Sequence, residues 1–212
     1  MKLSDICQWI GASAPSDNKS IARITTDSRA VQAGDLFVCI AGENFDGHDF
    51  AEAAVDAGAV AIVASRELAI SSVPVVLVHD TRLAYGQIAA GYRLGLAATV
   101  IGVTGSSGKT STKDLLAQLL SSAGETIAPP GSFNNEIGLP ATVLSADVRT
   151  KFLVLEMGMR GIGQINYLCN IAKPAIGVLL NVGSAHQELL GSRAAVLQAK
   201  AELLLSLPET GY

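Results

Sequence analysis

The sequence predicts an α/β fold with parallel sheets, because short apolar stretches alternate with amphipathic stretches along most of the chain. Such alternation is typical of strand–helix–strand units joined by right-handed crossovers. Apolar residues make up 49% of the 212 residues and charged residues 16%, which favours a packed core over disorder. A glycine-rich segment, TGSSGKT at 104–110, lies between one apolar stretch and one helical pattern. We therefore predict a small N-terminal α/β domain followed by a parallel-sheet domain built around a phosphate-binding loop.

The first predicted domain covers residues 1–80. Apolar residues at helical spacing predict its helices, and β-branched clusters predict its strands. The expected elements are a helix at 3–10, strands at 21–26 and 36–40, a helix at 48–57, and strands at 59–63 and 75–78. A helix over 81–97, with Thr81 as its expected cap, links this domain to the next.

The second predicted domain covers residues 98–212 and continues the alternation. The expected elements are a strand at 98–103, the glycine-rich loop, a helix at 113–120, a strand near 126, a helix from about 136, a strand at 152–156, a helix at 162–171, a strand at 175–180 and a helix at 193–207. Ligands of such sheets bind beyond the carboxyl ends of the strands. The polar segments that follow these strands are therefore the candidate site.

The loop after the first of these strands is the most specific signal. A glycine-rich turn between a strand and a helix directs backbone N–H groups and the helix N-terminus at one point, which suits a phosphate. Lys109 is expected to reach the terminal phosphates, and the Thr110 hydroxyl to bind Mg²⁺. The usual pattern G-x-x-x-x-G-K-[ST] requires glycine where this chain has Val103, so the loop belongs to an atypical subclass. The expected nucleotide-binding residues are Gly105, Ser106, Ser107, Gly108, Lys109, Thr110 and Ser111.

Three further polar residues follow or face these strand ends. Glu156 closes an apolar strand and is suited to hold Mg²⁺, although a strand-end carboxylate can also simply face solvent. His186 follows the strand at 175–180, and on its own favours a hydrogen-bonded structural histidine. Lys200 lies in an apolar helix; on its own it favours an exposed lysine, because Glu202 indicates a wet edge nearby.

Asn134 and Asn135 lie in a turn-rich loop, FNNEIGLP at 133–140. Either side chain can cap the helix that follows, and one or both can touch phosphate or substrate. The two roles are compatible.

Charge and composition exclude several classes of protein. A net charge of −4 without a basic cluster argues against a nucleic-acid partner. The apolar stretches are too short to span a bilayer, and the N-terminal segment does not have the pattern of a signal peptide. Cys7, Cys39 and Cys169 are scattered and odd in number, which indicates reduced thiols in the cytoplasm.

These motifs, taken in order, resemble the Mur ligases, the ATP-dependent amide ligases of peptidoglycan precursor synthesis. The motifs of the first domain are TDSR at 26–29, GDLFV at 34–38 and DGH at 46–48. Those of the second are TGSSGKT, FNNEIGLP, LEMG at 155–158, NVGSAH at 181–186 and the pair Ala199-Lys200. The family's loop also lacks the glycine that Val103 replaces here. FNNEIGLP and EMG favour the member that adds D-alanyl-D-alanine.

The resemblance implies roles for individual residues. Ser28 and Arg29 would bind the UDP-sugar in the first domain, Arg29 by pairing with the pyrophosphate. Thr110, Glu156 and His186 would serve Mg²⁺, together with Lys200 carried as a carbamate. Lys109, His186 and Lys200 would form the catalytic set.

The resemblance further implies that ATP and Mg²⁺ are the cofactors. It implies that UDP-N-acetylmuramoyl-tripeptide and D-alanyl-D-alanine are joined through an acyl phosphate. A cytoplasmic monomer without a membrane anchor is expected.

The chain departs from the family in length. Family members carry a longer central domain and a separate C-terminal domain, whereas this sequence ends at Tyr212. We therefore expect a fragment with an incomplete central domain and little or no ligation on its own. A binding module for UDP-muramoyl-peptide without catalysis, and the ligase that adds the third residue of the stem peptide, are the alternatives. A small-molecule kinase would use the same loop but would not need the TDSR and DGH segments.

Overall fold

The computed structural model describes residues 1–183 and 187–212. The chain forms two compact units, Met1–Gly91 and Tyr92–Tyr212. Each contains one parallel sheet with helices, which confirms the predicted α/β class. Among the described residues, no helix combines the length and the apolar character needed to cross a bilayer.

The first unit contains a four-stranded sheet in the order β1-β2-β3-β4, with every neighbouring pair parallel. Its strands are β1 Ile24–Thr25, β2 Leu36–Val38, β3 Ala61–Ala64 and β4 Val75–Leu77. Its helices are α1 Leu3–Trp9, α2 Ala51–Asp56 and the greater part of α3 Thr81–Arg93, with short 3₁₀ turns at Ser28–Ala30 and Gly47–Phe50. Every residue of β2 and β3 is buried, as expected for central strands of a parallel sheet that is covered on both faces.

Two boundaries of the first unit differ from the sequence prediction for identifiable reasons. The predicted helix at 48–57 begins as a 3₁₀ turn, because the Asp46 carboxylate accepts a hydrogen bond from the His48 amide at 2.9 Å and sets a tight entry. The prediction that Thr81 caps α3 is wrong. Asp80 is the cap, since its Oδ1 accepts from the amides of Arg82 and Leu83 at 2.8 and 3.0 Å, and Thr81 is already helical.

The second unit contains a sheet in the order β6-β7-β5-β8, again entirely parallel. Its strands are β5 Thr99–Thr104, β6 Thr126–Ile127, β7 Phe152–Glu156 and β8 Ile176–Leu179. Its helices are α4 Lys109–Leu120, α5 Gly138–Leu144, α6 Gln164–Ala172, α7 Gln187–Leu190 and α8 Arg193–Leu205. The one-turn helix α7 was not predicted, because four residues are too few to show periodicity.

The register of this sheet brings three strand ends together. Val103 in β5 pairs with Glu156 in β7, and Thr104 in β5 pairs with Leu179 in β8. The last residues of β5, β7 and β8 therefore lie side by side, with Ile101, Val103 and Val154 forming a buried cluster behind them. The loop after β5 starts from the middle of this edge.

Candidate nucleotide-phosphate site

The loop between β5 and α4 has the geometry of an anion-binding helix start. Gly108 adopts a left-handed conformation with φ of 81°, which most side chains would strain, and α4 begins directly after it at Lys109. Its N-cap residue, Gly108, has no side chain, and among the described residues no side chain accepts a hydrogen bond from the first amides of α4. The first N–H groups of α4 thus have no partner within the helix and lie at its positive end. The predicted helix began only at 113, because the polar first turn carries no apolar periodicity.

Two lysine ammonium groups converge on the start of the loop. Lys109 Nζ donates to Gly105 O at 2.9 Å, and Lys200 Nζ donates to the same oxygen at 3.0 Å. Lys200 is only 1% exposed, so the interpretation of Lys200 as a solvated helix lysine is wrong. Burial, together with the charge of Lys109, lowers the pKa of Lys200 to about 8.

The buried Glu156 carboxylate connects the loop to the neighbouring strand. Glu156 is 1% exposed, so the alternative that it faces solvent is wrong. Its Oε2 accepts from the Thr110 hydroxyl at 2.7 Å, and its Oε1 accepts from Asn134 Nδ2 at 2.7 Å. Both carboxylate oxygens are therefore partnered, and Thr110, Asn134 and Glu156 form one cluster.

The two asparagines of the 133–140 loop have different tasks. Asn135 Oδ1 accepts from the amides of Ile137 and Gly138 at 3.3 and 2.9 Å, and so caps α5. Asn134 instead turns to Glu156, while its carbonyl accepts from the Gly158 amide at 2.9 Å. A side chain at Gly158 would place its Cβ 2.7 Å from Asn134 Oδ1, so glycine is needed for this approach.

The structure thus brings most of the predicted nucleotide and metal residues of the second unit together. Lys109, Lys200 and Gly105 meet at one carbonyl, and Thr110, Glu156 and Asn134 at one carboxylate. Ser111 is exposed in the first turn of α4. The predicted metal ligand His186 lies outside the described residues.

Sequence reasoning did not single out Asn181, which follows β8. Its Oδ1 accepts from the amides of Ser106 and Ser107, each at 3.1 Å. Its Nδ2 donates to Ser107 O at 3.1 Å. The feature of the sequence that could have identified Asn181 is its position as the first polar residue beyond β8.

Lys113 was also missed. It is 1% exposed, and its ammonium donates to Pro129 O at 2.5 Å and Gly131 O at 3.1 Å and pairs with Asp114 at 2.7 Å. Lys113 lies three residues after Thr110, so the two side chains project from the same face of α4. That spacing is the feature of the sequence that could have identified Lys113.

The predicted substrate residues Ser28 and Arg29 lie in the first unit, on the 3₁₀ turn after β1. Arg29 Nε and Nη2 donate to the two carboxylate oxygens of Asp27 at 2.9 and 2.8 Å, with the Arg29 side chain 87% exposed. Hydrogen bonds from Arg29 lower the pKa of Asp27. The guanidinium is thus held by a bidentate pair at the surface.

The DGH motif of the first unit has a structural task. The Ser65 amide donates to His48 Nε2 at 2.9 Å, so Nε2 carries no proton and Nδ1–H donates to Asp46 Oδ1 at 2.5 Å. His48 therefore joins the end of β3 to the turn at Gly47–Phe50.

The Thr110–Glu156 pair fits a magnesium ion. Mg²⁺ prefers oxygen ligands at 2.0–2.1 Å in octahedral geometry, which separates adjacent ligands by about 2.9 Å. The observed 2.7 Å between Thr110 Oγ1 and Glu156 Oε2 matches that spacing once the hydroxyl hydrogen turns away. Within the part of the chain that the structure describes, no three His, Cys, Asp or Glu side chains cluster as a metal site.

Two family models match the chain. The model described as the Mur ligase family, catalytic domain, matches residues 20–93, and the Mur ligase middle domain matches residues 103–212. Together they cover both units.

Individual relatives agree with the family models. The UDP-N-acetylmuramoyl-tripeptide–D-alanyl-D-alanine ligase of Synechocystis sp. is 48% identical over 195 residues, which are 91% of this chain and 43% of that protein. The crystal structure of MurF from Acinetobacter baumannii has a TM-score of 0.88 at 33% identity, covering 99% of this chain and 47% of that one. MurF ligase from Thermotoga maritima, solved in complex with ADP, has a TM-score of 0.81 at 41% identity, covering 88% of this chain and 44% of that one. This chain spans less than half the length of these relatives.

Proposed function

This chain belongs to the Mur ligase family, and from that premise we propose that it is part of an ATP-dependent ligase that joins D-alanyl-D-alanine to UDP-N-acetylmuramoyl-tripeptide. The observation that carries the proposal is the uncapped start of α4, with Lys109 and the Thr110–Glu156 pair beside it. The product is a peptidoglycan precursor, which connects the activity to cell shape and division. We propose a cytoplasmic monomer; the three free cysteines fit a reducing compartment.

The two substrate classes are assigned to different domains. Residues 1–80 bind the UDP-sugar through Ser28 and Arg29, residues 81–97 link the domains, and residues 98–212 bind ATP as an incomplete central domain. Arg29 must exchange one carboxylate partner, Asp27, for a pyrophosphate. Because the Arg29 side chain is 87% exposed, the exchange requires little further desolvation of the protein.

The loop in the second domain holds the ATP phosphates. The amide of Gly108 and the open amides at the start of α4, including that of Ser111, donate hydrogen bonds to the β- and γ-phosphates, and the Lys109 ammonium neutralises part of their charge. Thr110 and Glu156 are the expected magnesium ligands, with His186 as a further ligand. Bound Mg²⁺ supplies charge neutralisation on the transferring phosphoryl group. Asn134 donates to Glu156 and orients it. Asn134 is proposed to contact the substrate as well.

Lys200 is proposed to act as a carbamate. The buried amine in its neutral form attacks CO₂, forming an N–C bond and releasing one proton, so that a cation becomes an anionic oxygen ligand. Two ammonium groups on one carbonyl oxygen are a repulsive arrangement, and carbamylation removes one of them.

The reaction proceeds in two steps. A carboxylate oxygen of the tripeptide attacks the γ-phosphorus of ATP, the bond to the ADP oxygen breaks, and an acyl phosphate forms. The amine of D-alanyl-D-alanine then attacks the acyl carbon, inorganic phosphate leaves, and the amine loses a proton to give the amide. Residues of this chain position the phosphates and neutralise their charge, which is the main requirement of phosphoryl transfer.

Binding and turnover test the proposal separately. Calorimetric titrations of the chain with UDP-N-acetylmuramoyl-tripeptide and with Mg·ATP should both show binding. ADP release should be slow, should require UDP-N-acetylmuramoyl-tripeptide, and should be abolished by Lys109→Met; amide formation should also require D-alanyl-D-alanine. Exposed Lys151→Met is the matched control.

Other results identify the alternatives. Binding of the sugar nucleotide without ATP would indicate a binding module. Preference for the shorter UDP-muramoyl-dipeptide would indicate the ligase that adds the third stem residue. ADP release when both peptide substrates are absent would contradict the ligase proposal. Robust ligation by the chain alone would contradict the proposal that it is a fragment.

A further inference from the structure

Asn181 connects the segment after β8 to the phosphate loop through both its backbone and its side chain. The Ser106 amide donates to Asn181 O and to Asn181 Oδ1, each at 3.1 Å. The Ser107 amide donates to Oδ1 at 3.1 Å, and Nδ2 returns a hydrogen bond to Ser107 O at 3.1 Å. Gly183 N donates to Ser106 Oγ at 2.9 Å, which adds a further link between the two segments.

The carboxamide holds Ser107 on both sides of its backbone. One group accepts from its N–H while the other donates to its C=O, which is how two peptide units pair. Ser107 directly precedes Gly108, whose left-handed conformation sets the direction in which the chain enters α4. Fixing Ser107 therefore fixes where the open amides of α4 point.

We propose that Asn181 is a positioning residue for nucleotide binding, whose carboxamide holds Ser107 so that the open amides at the start of α4 converge on a polyphosphate. The inference rests on the proposed function, because it concerns the same loop. Asn181 acts through Ser107 and need not touch the phosphates itself.

Two observations separate this role from a contribution to the stability of the fold. Asn181 is exposed, so truncating its side chain leaves neither a cavity nor a buried unpaired group. The bond from Ser106 N to Asn181 O belongs to the backbone and survives any substitution there. Substituting Asn181 should therefore change the orientation of Ser107 and leave the stability of the fold unchanged.

The test is a calorimetric titration of the full chain and its variants with Mg·ADP. Asn181→Ala and Asn181→Ser should each weaken Mg·ADP binding about tenfold, the loss expected when the two modest hydrogen bonds that hold the Ser107 backbone are removed. The melting temperature and the affinity for UDP-N-acetylmuramoyl-tripeptide should stay unchanged. Asn170→Ala is the control: Asn170 is an exposed asparagine of α6 whose Oδ1 accepts from Lys173.

The opposite results are equally specific. Tighter Mg·ADP binding by the Asn181 variants would show that the carboxamide blocks the loop amides, and would overturn the inference. Unchanged binding would overturn it as well, and so would a fall in melting temperature that accounts for the loss. If the unaltered chain binds no Mg·ADP, the proposed function fails first and the inference with it.

Discussion

Lys200 is a buried cation with a like charge as its neighbour. Its ammonium and that of Lys109 share Gly105 O, and Lys200 is 1% exposed. The apolar helical pattern contained the information that it is buried: Val196 and Leu203 lie four residues before and three after, and both are fully buried. The nearby Glu202 misled the prediction, because it lies two residues further on and contacts the start of α6 through Gly163 and Asn166.

Replacing Lys200 should stabilise the chain at neutral pH. The pKa of about 8 in the folded chain lies below the ordinary value of 10.5, so between these values the unfolded chain binds more protons. The free energy of unfolding therefore rises with pH across that window. In CO₂-free buffer at pH 7, Lys200→Met should raise it by about 2 kcal/mol, and the gain should shrink as the pH approaches 10.5.

Urea denaturation at a series of pH values measures this difference directly. Lys151→Met, an exposed lysine of the same unit, should show no such pH dependence. A Lys200→Met variant that is less stable at pH 7, or a gain that is constant from pH 7 to 10.5, would contradict the buried-cation account.

Asn181 and Lys113 show the limit of sequence reasoning at the scale of residues. Each binds backbone groups that are distant in sequence, Asn181 at Ser107 and Lys113 at Pro129 and Gly131. Hydrophobic periodicity reports which face of an element is buried but not which carbonyl a polar group will find. Such partners follow only from the register of the sheet.

At the scale of elements, α4 determines the site. Thr110 and Lys113 lie one turn apart on it, Thr110 bonded to Glu156 and Lys113 to the loop that leads to Asn134. The same helix thus contacts the Glu156 carboxylate and the loop that leads to Asn134, whose side chain orients that carboxylate.

Removing the Lys113 ammonium should loosen this loop. Lys113→Met leaves Pro129 O and Gly131 O without their donor, whereas Asp114 is 63% exposed and remains solvated. The free energy of unfolding should fall by about 2–4 kcal/mol. Urea denaturation measures it, and Lys151→Met should change it by less than about 0.5 kcal/mol.

A Lys113→Met variant as stable as the unaltered chain would contradict this role.

The sequence predicted some elements of the second unit better than others. The strand predicted at 152–156 is β7 without change, because its apolar residues are bounded by Glu156 and Lys151. The start of α4 and the one-turn α7 were missed, because a helix that begins at an anion site or is very short lacks apolar periodicity.

At the scale of the whole molecule, the order of motifs along the chain predicted the family, and the alternation of apolar and amphipathic stretches predicted the α/β class. The two compact units and their separate parallel sheets follow from alternation of strands and helices. The chain spans less than half of its relatives' length. We propose that its own residues supply the phosphate loop and the expected magnesium ligands, and that amide formation requires the longer protein.

The central claim is that Lys109, Thr110 and Glu156 form a site for a magnesium nucleotide. The most direct test is calorimetric titration of the chain with ADP, with and without Mg²⁺. Glu156→Gln is nearly isosteric and can still accept from Asn134, but it removes the anionic ligand; exposed Glu209→Gln is the control. We expect Mg²⁺ to tighten ADP binding at least about tenfold in the unaltered and control chains, and to have no effect in Glu156→Gln. ADP binding that ignores Mg²⁺ in the unaltered chain, or a Glu156→Gln variant that keeps the full Mg²⁺ effect, would contradict the claim.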